Sequence, residues 1–302
     1  MEQLLQIAKP ELSAISVRNY AKQANKIYSK GLHMSGDITE LHEWIYNKKG
    51  ISDFLSLLAP KTQKSYISIL ITLLKYMKDT DELNYYIKLT QDKTKEVNIS
   101  RKTDTSKLEE KVISMDEYNK LLSLSKDEPE YLLFLLLKFL PIRNEIGTLI
   151  YMTAADYKKL TYDEKQHKNF LIVGKSIITV DRFRYKTFIK HGPKSTPIEN
   201  KALKAKIRKY IKDNKIASNE PMFTFAGRPL TENDVSHRLS FVSNKLIGIK
   251  LSTSSIIKIV INDTLKKLNS LEDKLTYLKV VGDIRGTEVS TLTDYYIYNK
   301  SV

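Results

Sequence analysis

The sequence predicts a mainly α-helical, two-domain protein with one small antiparallel β-sheet. Three observations carry this expectation. Apolar residues recur at helical spacing through most of the 302 positions. The pattern changes to short alternating segments in one place, residues 169–198. A polar, charged, aromatic-free stretch, residues 91–111, interrupts the periodicity and reads as a linker. The expected domains are therefore 1–90 and 112–302.

In the first domain, Val17, Tyr20, Ala24, Ile27 and Tyr28 line one face of a helix expected over 12–30, with Ser13 or Ser16 as its cap. A second helix is expected over 38–48, with Trp44, the only tryptophan, as a core anchor. The strongest helix follows Pro60, over 61–77, where Tyr66, Leu70, Leu73, Leu74 and Met77 share a face and Lys61 and Lys64 stand near the start. The second domain opens with the capping box Ser114 to Glu117. Helices are expected over 115–125 and 129–140, and Arg143 then heads a short helical pattern. Asn169–Val173 and Ser176–Val180 read as strands joined by a hairpin at Gly174-Lys175. The following RFRYKTFIK reads as an alternating strand, with Arg182, Arg184, Lys186 and Lys190 on one face. A return strand ends at Ile198, and helices are expected over 200–212, 232–247, 254–267, 271–281 and 287–298.

Composition narrows function. The net charge of +15 calls for a polyanionic partner, nucleic acid before anionic membrane. The cations are 41 lysines and 9 arginines, which suits sequence-blind contact with backbone phosphates. A solvated lysine-rich surface accounts for the same composition. The absence of cysteine excludes disulfides, thiolate catalysis and cysteine-based zinc sites. His191 and His237 have no partners at metal-ligand spacing, so no metal site is expected. The N-terminus lacks a signal-peptide pattern, and the longest apolar run falls short of a bilayer span. Cytoplasm, nucleus or a viral factory is the expected location.

The layout resembles the tyrosine recombinases, the phage-integrase family, over nearly the whole chain. Leu140-Pro141-Ile142-Arg143-Asn144-Glu145 resembles the segment of the family's first arginine, with the acid one residue closer. Tyr185-Lys186-Thr187 followed by Lys190-His191-Gly192-Pro193-Lys194 resembles the lysine hairpin, and Thr196-Pro197-Ile198 its exit. Tyr295-Tyr296 stands where the family carries its nucleophile. Two boxes depart from the pattern. The histidine and arginine of His-x-x-Arg fall on Ser254 and Ile257, and the later Gly-His reads Gly282-Asp283, with Arg285 as the nearby cation.

The resemblance implies a helical core-binding domain and a catalytic-type domain that close on double-stranded DNA as a clamp, with self-association on DNA and no small-molecule substrate. It also implies attack of a tyrosine hydroxyl on the scissile phosphate and a 3′-phosphotyrosyl intermediate, without metal or ATP. Two arginines hold the non-bridging oxygens and the lysine protonates the leaving oxygen. Loss of one such donor typically costs about 100- to 1000-fold, and loss of acid–base help roughly 100- to 10,000-fold. The implied catalytic residues are Arg143, Lys186 and Tyr295, with Tyr296 as the alternative nucleophile and Arg285 as a partial substitute cation. Arg182, Arg184, Lys190, Lys194, Lys61 and Lys64 are the expected DNA contacts. Each has a structural alternative. Arg143 can pair with Glu145 or Asp156, and a helical apolar stripe through Ile257, Val260 and Ile261 makes Ile257 core. Three functions fit: a recombinase or integrase of a virus or mobile element, active or impaired; a non-enzymatic DNA-binding protein on the same scaffold; and an unrelated basic helical protein.

Overall fold

The computed structural model describes residues 1–103 and 113–296, with side chains through 97 and from 113 to 293. The chain divides into two compact units, Met1–Lys107 and Leu108–Val302. Among the described residues no helix is long and apolar enough to cross a membrane.

The first unit is a helical bundle. It contains α1 (Glu2–Ala8), α2 (Ala14–Lys26), α3 (Leu41–Trp44), α4 (Lys48–Ser56), α5 (Pro60–Met77) and α6 (Thr80–Thr103). Ser13 caps α2 by accepting from the Ser16 amide, and the helix runs on through a π-turn at Ile27–Gly31. Pro60 occupies the first turn of α5, where its missing N–H costs nothing. The apolar face of α5 buries Tyr66, Leu70, Leu73 and Leu74 against Trp44, Ile27 and Tyr86. Trp44 is fully buried, and its indole N–H donates to Ile38 O at 3.1 Å. The helix expected over 38–48 is instead broken between α3 and α4, because the Asn47 side chain caps α4 by accepting from the Gly50 amide. Residues 91–103, expected as linker, continue α6. Lysine, glutamate and glutamine are good helix formers without an apolar stripe, and Val97 is buried all the same. The remainder of that stretch, 104–111, lies outside the described residues.

The second unit places α7 (Met115–Leu124), α8 (Tyr131–Phe139), α12 (Lys201–Asp213), α13 (Glu232–Ile247), α14 (Thr253–Lys267), α15 (Leu271–Arg285) and α16 (Val289–Tyr296) around a five-stranded sheet. The Ser114–Glu117 capping box is present at α7. Short helices α9 (Ala154–Lys159), α10 (Tyr162–Lys165) and α11 (Phe188–His191) join the strands. The strands are β1 (Leu149–Thr153), β2 (Asn169–Val173), β3 (Ile178–Arg182), β4 (Lys194–Pro197) and β5 (Glu220–Pro221), in the order β4-β3-β2-β1-β5. All pairs are antiparallel except β1 with β2, which is parallel. A two-stranded ribbon, β6 (Thr224–Phe225) with β7 (Arg228–Pro229), precedes α13.

Two strand expectations are corrected. Leu149–Thr153, expected within a helical pattern after Arg143, is β1. The expected strand through RFRYKTFIK stops at Arg182. The Asn169 side chain ends it: its amide oxygen accepts from the amides of Phe183 and Arg184 at 3.1 and 2.9 Å, and its Nδ2 donates to Arg184 O at 2.7 Å. Those bonds use up the backbone groups a continued ladder needs. Lys186 therefore lies on an exposed turn and Lys190 in α11.

Candidate functional site

The site forms around the C-terminal end of α15. That helix ends at Gly286, whose φ of +59° is left-handed. The Thr287 amide reaches back to Gly282 O at 2.9 Å in a Schellman-type turn. A Cβ on Gly286 would meet Tyr185 Cε2 at 2.6 Å, so the turn needs glycine for space as well as for φ. The last carbonyls of a helix lack intrahelical donors and carry the negative end of the dipole, so they attract cations.

Two guanidiniums dock there. Arg143, half-buried where α8 passes into the 3₁₀ turn Asn144–Thr148, donates from Nη1 to Arg285 O at 3.0 Å and from Nη2 to Thr287 Oγ1 at 2.5 Å. Arg182, at the end of β3, donates to Ile284 O and pairs with Glu145 at 2.9 Å. Both members of that pair are buried. Burial pulls the Arg182 guanidinium below its usual range, while Glu145 beside it pushes it back up. Arg285 is itself buried and donates from Nη1 to Pro141 O at 2.7 Å. The adjacent Gly286 O accepts from Thr187 Oγ1 at 2.6 Å, which brings the Lys186 turn to the same helix end. Asn144 Oδ1 accepts from Thr253 Oγ1 at 2.5 Å and Ser236 Oγ at 3.2 Å, which ties the start of α14, with the exposed Ser254, to the residue next to Arg143.

Two distant segments, around Pro141–Arg143 and Arg182–Thr187, thus meet at Ile284–Thr287, and the start of α14 joins them through Asn144. Arg143 uses two of its five N–H groups on protein acceptors, which fixes the position of its guanidinium. Lys186, next to Thr187, and Arg184 are exposed. Lys194 is tied to Asp283 at 2.5 Å and Lys190 to Glu288 at 2.9 Å. Glu288 is held below the usual carboxylate range by its hydrogen bond from Lys190. Lys61 is exposed and Lys64 half-buried on α5 in the first unit. The expectation of Arg182 as a surface contact is corrected: its charge lies out of solvent against Glu145. Arg285 as a substitute cation is corrected likewise, because its guanidinium is buried against Pro141. Ile257 is fully buried in the core of the second unit. Tyr295 and Tyr296 lie in the last turn of α16, and their side chains fall outside the described residues.

Sequence reasoning missed the Glu145–Arg182 pair, Asn169 and Thr287. The Gly286-Thr287 step after a helical pattern was the available signal for the last of these. Nothing in the spacing pairs Glu145 with Arg182. Among the described residues no group of three or more histidine, aspartate or glutamate side chains is arranged to hold a metal ion.

No protein-family model matches the chain, and no curated protein matches it in sequence. Solved structures do match. The Tn1549 transposon integrase in complex with transposon right-end DNA aligns at a TM-score of 0.58 and 14% identity, over 99% of this chain and 95% of that one. The XerH site-specific recombinase on its palindromic difH substrate, in a post-cleavage complex, aligns at 0.55 and 14% identity, over 95% and 75%. Its pre-cleavage complex aligns at 0.52 and 14% identity, over 94% and 76%. The chain has the tyrosine recombinase fold.

Proposed function

We propose that this chain binds double-stranded DNA with the face formed by Arg143, Arg184 and the Lys186 turn, and that it cleaves DNA weakly or not at all. The observation that carries the reading is the convergence of Arg143 and the Thr187 turn on consecutive carbonyls, Arg285 O and Gly286 O. The net charge of +15 and the DNA in the similar integrase and recombinase structures support a duplex as the ligand. Arg143 is the anchor for one phosphate, with Lys186 and Arg184 as flanking backbone contacts. Self-association on DNA and an origin in a virus or mobile element belong to the same reading.

Weak cleavage follows from charge. Transition-state stabilisation of phosphoryl transfer needs donors fixed where negative charge develops. Ile257 is buried hydrocarbon, Ser254 carries no charge, and Asp283 is an anion whose exposed carboxylate takes up the Lys194 ammonium. A duplex-binding titration at several salt concentrations tests the grip. Affinity falls steeply with salt if phosphate contacts carry it, with a log–log slope near −0.9 per contact. Salt-independent or absent binding contradicts the proposal.

A further inference from the structure

We infer that the second unit carries a second DNA-binding face, on α12 and the β2–β3 hairpin, at the end of the sheet away from Arg143. The inference rests on the duplex-binding reading above and adds a second duplex to it. Helix α12, KALKAKIRKYIKD, holds six cations and one acid. Its apolar side is committed: Leu203 and Ile207 are buried in the core. Lys201, Lys204, Arg208 and Lys212 follow at steps of three, four and four, which places them on one stripe. The single acid, Asp213, is engaged by Lys209 at 2.7 Å, off that stripe.

The stripe is clipped to the hairpin. Arg208 Nη2 donates to Gly174 O at 2.7 Å and to Lys175 O at 2.9 Å, and Lys204 Nζ reaches Ser176 O at 3.4 Å. These bonds hold two cations in place and set Lys175 at the exposed hairpin tip beside them. Among the described residues the ammonium groups of Lys175, Lys201 and Lys212 have no hydrogen-bond or ion-pair partner, and all three residues are exposed. From Lys201 to Lys212 the helix rises about 16 Å, at 1.5 Å per residue. One DNA strand presents a phosphate about every 3.4 Å along the axis, so the stripe spans roughly five phosphates. Lysines as hydrated point charges suit such a backbone without reading sequence.

The two faces are separate. Strand β3 begins at Ile178 beside the hairpin and ends at Arg182 beside Glu145, about 13 Å further along at a strand rise near 3.3 Å per residue. The proposed second duplex lies at this far end of the sheet, so that one chain holds two DNA segments together.

The test is a bridging assay with the full chain. A bead-bound random duplex of about 30 base pairs, a length well beyond the stripe, captures a free labelled duplex of equal length only when protein links the two. Wild type is expected to capture it. The triple variant Lys175→Glu, Lys201→Glu, Lys212→Glu is expected to lose capture at least about tenfold, the scale set by losing three phosphate contacts. Its affinity for a single duplex should stay within roughly threefold of wild type and its melting temperature unchanged. Capture that survives the three reversals places bridging elsewhere and overturns the inference. Wild type that binds one duplex but never bridges also overturns it, and leaves the proposed function standing. Wild type that binds no duplex overturns both. Loss of binding to phosphatidylserine vesicles with unchanged DNA capture assigns the stripe to a lipid surface, against the inference.

Discussion

Arg182 and Glu145 form an ion pair at 2.9 Å with both side chains out of solvent, and Arg182 also bonds Ile284 O. The pair locks the end of β3 to the 3₁₀ turn that carries Arg143 and to the helix end that Arg143 grips. Removing one member strands a buried charge, so Glu145→Ala should cost about 3–5 kcal/mol in urea unfolding. The double replacement Glu145→Leu with Arg182→Met should cost clearly less. A double variant no more stable than the single one contradicts this account of the pair.

Arg143 should not tolerate lysine. The fork reaches Arg285 O and Thr287 Oγ1 together, and an ammonium on a flexible stem cannot hold both while also facing an anion. Arg143→Lys is expected to weaken duplex binding by about tenfold despite unchanged net charge, the scale of one hydrogen bond to a charged group. Fluorescence anisotropy at fixed salt checks it, and equal affinity would show that only charge matters there.

Restoring the family's arginine should fail. Ile257 is fully enclosed by the core, so Ile257→Arg buries an unpaired cation. The variant is expected to lose several kcal/mol of stability and to gain no cleavage activity. A stable Ile257→Arg chain that cleaves DNA would show α14 able to turn this position to the site.

Gly286→Ala combines a left-handed φ with a contact to Tyr185. It should destabilise the second unit by about 1–3 kcal/mol and weaken duplex binding with it, because the carbonyls that seat Arg143 and Thr187 shift. A lowered melting temperature with unchanged binding would separate the turn from the site.

Tyr118 supplies a pH signature. Its hydroxyl donates to Phe134 O at 2.7 Å inside the core, and burial raises it well above the usual phenol range. The folded state disfavours the phenolate. Its contribution to stability is therefore complete below the unfolded value near 10 and declines as pH rises above it. Tyr118→Phe should cost about 1 kcal/mol at neutral pH, and the difference should shrink and then reverse in the alkaline range. A difference independent of pH contradicts this.

Much of the scaffold is written locally. The Ser114–Glu117 capping box and the Tyr131–Phe139 helix, apolar but for Lys138, follow from short-range rules and stand where the pattern puts them. The β2–β3 hairpin also forms, but its loop is 174–177, so β3 starts at Ile178 rather than at Ser176. The misreadings have tertiary causes. RFRYKTFIK alternates like a strand, but Asn169, fourteen residues earlier than Phe183, takes its backbone donors. Helix α6 has no apolar stripe over 91–103 and was legible only through residue propensity. At the site, Arg143 and Lys186 could be picked out by resemblance. That Arg182 is a buried partner depends on Glu145, 37 residues away, and on a helix end 102 residues away. No window of sequence contains that information.

The central claim is a DNA grip with little or no strand cleavage. It is tested most directly by incubating the chain with a labelled, nicked suicide duplex and resolving one sample on native and denaturing gels. The expected result is a salt-sensitive native shift and no denaturant-resistant adduct. A covalent protein–DNA adduct that disappears in Tyr295→Phe would contradict the claim, and so would a duplex that never shifts.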